Sequence, residues 1–157
     1  MFSGFKKEKM SIEDQGYGKA EITFRHGGSG EPLLLLHGNP MSHITWHKIV
    51  DDLKSQFYIV AADLRGYGES IGPEDGGENH LNYSFRAMAN DQINLMKILG
   101  YDKFYILKRD KMSVEAEDFE VNDNATHAQI RSAFKKHSSS KKNNKTLLTN
   151  FGRTVAV

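Results

Sequence analysis

Residues 33–40 read Leu-Leu-Leu-Leu-His-Gly-Asn-Pro. An apolar run this short, closed by turn residues, suits a strand buried on both faces better than a helix. Two later runs have the same character: 57–62, Phe-Tyr-Ile-Val-Ala-Ala, and 103–107, Lys-Phe-Tyr-Ile-Leu. Between them lie segments with helical spacing. Residues 46–54 put Trp46, Ile49, Val50 and Leu53 on one side. Residues 84–99 put Phe85, Met88, Ala89, Gln92, Met96 and Leu99 on one stripe, with Ser84 placed to cap the start and Gly100 just past the end. Upstream, 20–26 alternates polar and apolar residues as a half-buried strand does, and Gly27, Gly28 and Gly30 break it as a turn. Strands and helices in this alternation predict an α/β fold with a mostly parallel sheet and right-handed crossovers.

The bulk properties fit one ordinary domain. The chain has 157 residues, 38% hydrophobic and 26% charged, with a net charge of +1. That balance points to no acidic or basic macromolecular partner, so neither nucleic acid nor membrane is expected. There is no cysteine, which excludes disulfides and thiolate chemistry and suits the cytoplasm. Residues 1–10 carry four charges and no apolar run, so no signal peptide is expected. The apolar stretch 32–36 is far too short to span a bilayer. Nothing in the sequence calls for a metal or an organic cofactor.

In an open parallel sheet, ligands bind beyond the carboxyl ends of the strands. His37-Gly38-Asn39-Pro40 sits there after the first buried run. Glycine lets backbone approach a ligand closely, and backbone donors in such a loop can face a developing oxyanion or a halide. The plainer reading is a tight turn packed under Trp46. After the second run comes Asp63-Leu64-Arg65-Gly66-Tyr67-Gly68-Glu69-Ser70. Within it, Gly68-Glu69-Ser70-Ile71-Gly72 matches the G-x-S-x-G of serine hydrolases. That motif works only on a strand-turn-helix elbow, and here Pro73, Gly76 and Gly77 follow instead of a helix. Ser70 is therefore not expected to be a nucleophile. Gly66-Tyr67-Gly68 lacks the third glycine and the helix of a dinucleotide fingerprint.

Four stretches in order carry a family resemblance: Leu-Leu-Leu-Leu-His-Gly-Asn-Pro, Ala-Asp-Leu-Arg-Gly-Tyr-Gly-Glu-Ser, Asn-Tyr-Ser-Phe-Arg-Ala-Met-Ala and Phe-Tyr-Ile-Leu-Lys-Arg-Asp. Together they resemble the N-terminal half of an α/β-hydrolase, and within that superfamily the haloacetate dehalogenases. The resemblance implies a truncated α/β-hydrolase fold over residues 1–110, its mostly parallel sheet ending after the fifth strand, with an unrelated tail over 111–157. It implies hydrolytic carbon–halogen cleavage of a small molecule, with His37, Gly38 and Asn39 forming the oxyanion or halide loop. It places Asp110 at the attacking carboxylate, which forms a covalent ester. It places Lys111 where the family has an arginine that binds the substrate carboxylate, and Val114 where it has a second arginine.

The chain departs from that pattern in several places. Asn39 replaces the usual phenylalanine and resembles instead the halide-binding asparagine of haloalkane dehalogenases. Lys108 and Met112 replace both glycines of the family's Gly-His-Asp-Arg-Gly elbow. A strained elbow needs small neighbours, so presentation of Asp110 should fail. The family's histidine and its acidic partner come from later strands, and no pattern ties His127 or His137 to Asp110. The expectation is an impaired or inactive hydrolase. The alternative is a non-catalytic fragment or pseudoenzyme acting as an interaction module. A sheet ending at 104–107 would leave an apolar edge open to self-association.

After Asp110 the texture changes. Residues 125–136 suit one helix, similar to the second helix of a J domain but followed by His-Ser-Ser-Ser in place of that family's His-Pro-Asp. Residues 137–145 read as a flexible linker of serine, lysine and asparagine.

Overall fold

The computed structural model of the chain describes residues 1–14 and 16–108. The expectations for Asp110, Lys111, Val114, the helix at 125–136 and the linker lie outside those residues. The described residues form one five-stranded sheet in the order β1-β2-β4-β3-β5. Its strands are β1 (Lys6–Asp14), β2 (Gly18–Gly28), β3 (Glu31–Leu36), β4 (Phe57–Ala62) and β5 (Tyr105–Lys108). β3 pairs in parallel with β4 on one side and β5 on the other. β2 runs antiparallel to both β1 and β4.

The three apolar runs are the three parallel strands, and their burial follows the period of two that a pleated strand imposes. Leu33, Leu35, Ile59 and Ala61 pack on one face with Trp46, Ile49, Val50 and Leu53. Leu34, Val60 and Ala62 pack on the other with Leu95 and Met96 of helix α2 (Phe85–Ile98). A run apolar at every position is what a strand covered on both sides requires.

Two expectations are corrected in detail, and one strand is new. The segment 46–54 is not one helix. A 3₁₀ turn over His43–Trp46 is followed by a single helical turn, α1 (Val50–Leu53), although the same four apolar residues face the core. The strand β1 was not anticipated, because only Met10 and Ile12 interrupt its charged and polar residues. The inward face of α2 is rotated from the expected stripe. Phe85 is 79% exposed, and Ala89 is exposed too, while Ala87, Asp91, Gln92, Leu95 and Met96 are buried. The reason is Asp91, which turns inward to meet the buried Arg65.

The ends of α2 are as expected. The Ser84 hydroxyl accepts from the Ala87 N–H at 3.2 Å. Gly100, at φ +89°, donates to the Lys97 carbonyl, and Tyr101 donates to the Met96 carbonyl. This is the left-handed stop for which glycine is favoured.

Candidate functional site

The register of the parallel strands builds the site. Leu36 lies between Ala62 on β4 and Lys108 on β5. The segments that leave β3 and β4 therefore emerge side by side at one end of the sheet, beginning with His37 and Asp63, at the end where β5 stops at Lys108. This is the crevice end expected of a parallel sheet.

His37 turns its ring inward rather than toward solvent. Its Nε2 accepts the Leu64 N–H at 3.0 Å, so that nitrogen carries no proton. Its Nδ1–H donates to the Gly38 carbonyl at 3.0 Å. Burial of the ring holds the pKa below the ordinary histidine value, against the opposite pull of the Gly38 carbonyl and of Asp63. The Tyr67 ring meets it edge-on at 5.7 Å between centroids. His37 thus pins the loop after β3 to the loop after β4 as a neutral imidazole.

That pin orients the backbone. The Gly38 carbonyl accepts both His37 Nδ1–H and the Met41 N–H, the latter at 2.8 Å. A trans peptide is planar with N–H and C=O opposed. The Asn39 N–H therefore points away from His37 and Met41. Asn39 and Pro40 are exposed, and the bond between them is cis. Of the three residues expected in the oxyanion or halide loop, then, His37 fixes the loop, Gly38 supplies the fixed carbonyl, and Asn39 sits at the open tip.

Asp63 is the second anchor. Its Oδ1 accepts the backbone N–H of His43 at 2.6 Å and His43 Nδ1–H at 3.0 Å, and its Oδ2 accepts the Glu69 N–H at 3.0 Å. Burial alone would raise its pKa, but the bond from the His43 ring and those from the Glu69 and His43 backbones outweigh it, leaving the carboxyl below the usual range. His43 Nε2 in turn accepts from Arg25 Nε at 3.1 Å, and Phe2 closes over both partners, 5.6 Å from the His43 ring and 5.4 Å from the Arg25 guanidinium. Gly68, at φ +55°, lies against Asp63, where a Cβ would come within 2.3 Å of Oδ2.

Arg65 braces the loop after β4 from beneath. It is fully buried and forms a two-pronged pair with Asp91, Nε to Oδ2 at 2.6 Å and Nη2 to Oδ1 at 2.5 Å. Its Nη1 donates to the carbonyls of Tyr17 and Asn82. Ser70 is structural, as expected: its hydroxyl donates to the Asp63 carbonyl at 3.0 Å and accepts the Thr23 N–H at 2.8 Å. With its proton engaged and its side chain buried, it does not face a substrate.

Sequence reasoning named Asp63 only as the start of a loop motif, and did not single out His43, Arg25 or Asp91. The available signals were an acid directly after a buried strand and an aspartate on an otherwise apolar side of a helix. Among the described residues there is no cluster of three or more His, Cys, Asp or Glu that could hold a metal ion. No described helix is long and apolar enough to cross a membrane.

Residues 31–107 match the family model for the alpha/beta hydrolase fold. The chain belongs to the α/β-hydrolase family. This α/β-hydrolase is 42% identical over 111 residues to a fluoroacetate dehalogenase of Burkholderia sp, an alignment covering 71% of this chain and 34% of that one. It is 42% identical over 83 residues to a soluble epoxide hydrolase of Corynebacterium sp. (strain C12), covering 53% of this chain and 27% of the relative. A solved structure from Nostoc sp PCC 7120, described as an α/β-hydrolase, superposes with a TM-score of 0.61 at 44% identity, over 70% of this chain and 36% of the other. The α/β-hydrolase chain thus spans about a third of the length of these relatives.

Proposed function

We propose that this chain carries the scaffold of a hydrolase that cleaves the carbon–halogen bond of a small halogenated acid, in a form whose nucleophile is poorly presented. The observation that carries the reading is the register of Leu36 between Ala62 and Lys108. It brings the His37–Pro40 loop beside the strand that leads, two residues later, to Asp110. A fluoroacetate dehalogenase and an epoxide hydrolase are both 42% identical to this chain, and the longer match, over 111 residues against 83, supports the halogenated-acid reading. In this reading an Asp110 oxygen attacks the carbon bearing the halogen, an ester bond forms, the carbon–halogen bond breaks and the halide leaves with its electron pair. The loop of His37, Gly38 and Asn39 faces the departing charge, and Lys111 meets the substrate carboxylate as a point charge without the fork of an arginine. A relative that is an epoxide hydrolase has the same scaffold. A carboxylate can open a strained ring as it displaces a halide.

Lys108 is an exposed, extended residue at the end of β5. With Met112 it stands where small residues would let the chain turn sharply about Asp110. The same two residues favour the second reading, a non-catalytic module on a hydrolase scaffold.

The test is to incubate the chain with fluoroacetate or chloroacetate, measure halide release, and look by mass spectrometry for a carboxymethyl ester on Asp110. The unaltered chain should give little of either. The Lys108→Gly/Met112→Gly variant should form the ester, and Asp110→Asn added to it should abolish it. A glycine-restored chain that folds but never gains the ester overturns the dehalogenase reading and leaves the non-catalytic one.

A further inference from the structure

β1 is one of the two outer strands of the sheet among the described residues. Among the described residues its only sheet partner is β2, so one side of its backbone is unpaired. Such an edge is a template for another strand, and proteins commonly blunt it with charged side chains, lysine above all. This edge carries both signs, sorted along its length. The half before Met10, Lys6-Lys7-Glu8-Lys9, has a net charge of +2, and the half after it, Ser11-Ile12-Glu13-Asp14, has −2.

We infer that β1 is a self-complementary edge through which two copies of this chain pair antiparallel about a two-fold axis at Met10. A two-fold contact brings the same patch of both copies together. Centred on Met10, the antiparallel register sets Lys7 opposite Glu13 and Lys6 opposite Asp14, each twice. Cross-strand partners share a face of the sheet, so opposite charges there attract and like charges repel. Slipping the register by one or two residues in either direction leaves fewer opposite-charge pairings or sets two acids against each other. Lys6, Lys7 and Glu13 are exposed. Lys7 already meets Glu69 of its own chain, but an exposed pair of that kind is weak and leaves the outer backbone open. Ile12 faces the core with Leu95 and Met96 of α2, so the pairing extends the sheet and leaves the buried face covered. The contact is one strand wide and so belongs to weak, reversible association. It is independent of the hydrolase reading.

The test is the oligomeric state of the full chain by sedimentation equilibrium at low and high salt. A concentration-dependent dimer that weakens with salt is expected. Lys6→Glu/Lys7→Glu and Glu13→Lys/Asp14→Lys, each shown folded by circular dichroism, should each dimerise more weakly by about tenfold or more. Mixed together they should form a heterodimer, since every pairing is then between opposite charges. A chain that stays monomeric throughout, a dimer that ignores both reversals (as pairing through β5 would), or a mixture that does not associate would each overturn the inference.

Discussion

Asp63 and His43 are joined twice through one oxygen: the backbone N–H and the ring Nδ1–H of His43 both donate to Asp63 Oδ1, at 2.6 and 3.0 Å. One carboxylate thereby ties the loop after β3 to the loop after β4, and its other oxygen turns the latter back on itself through the Glu69 N–H.

Asp63→Asn keeps the shape but replaces one acceptor oxygen with a donor. At least one of the N–H groups around it then faces another donor in a buried site. A loss of about 2 kcal/mol is expected, the scale of hydrogen bonds to a charged group, measured by urea unfolding at neutral pH. Because the folded pKa is depressed, the contribution of Asp63 is complete above the unfolded carboxylate value near 4 and is lost as pH falls through the folded value. The Asn variant should lack that part of the acid dependence.

His37 acts in a different pH window. Its folded pKa is lowered, so below about 6.5 the unfolded chain takes up a proton that the folded chain refuses. Stability should fall as pH drops from that value toward the lower folded one, and then level off. His37→Gln can still accept the Leu64 N–H through its amide oxygen. It should flatten this slope while costing about 1 kcal/mol at pH 8. A titration of the His37 ring proton by NMR reads the shifted pKa directly.

Arg65 and Asp91 form a buried, two-pronged ion pair. Removing one takes from the other, still desolvated, the opposite charge that it meets in the folded chain. Arg65→Met and Asp91→Leu should each destabilise the chain by about 3 kcal/mol or more, whereas the double replacement should recover most of the loss. Thermal unfolding of the three variants gives the coupling. Additive losses would show that the pair does not act as a unit.

Much of this fold was legible one segment at a time. Leu33 to Leu36 announces a doubly covered strand because both faces of that strand meet apolar layers. Ser84 and Gly100 mark the ends of α2 because capping is a local hydrogen-bonding problem. The site was less legible. His37 was visible as part of a loop motif, but not that its ring is turned inward as a fixed neutral tautomer. Asp91 lay outside the stripe read on α2, because a helix read alone gives no sign of an arginine beneath it.

The sequence by itself determined the three apolar strands, the helix between the last two and the family to which they belong. Each of these depends on residues near one another in the chain, or on motifs that keep their spacing. The tertiary structure decided what joins the loops. His43 meets Asp63 across 20 positions, Arg65 meets Asp91 across 26, and Thr23 meets Ser70 across 47. Such contacts depend on the strand order and register, which set where each loop leaves the sheet, and a buried charge or hydroxyl is stable only where that geometry brings it a partner.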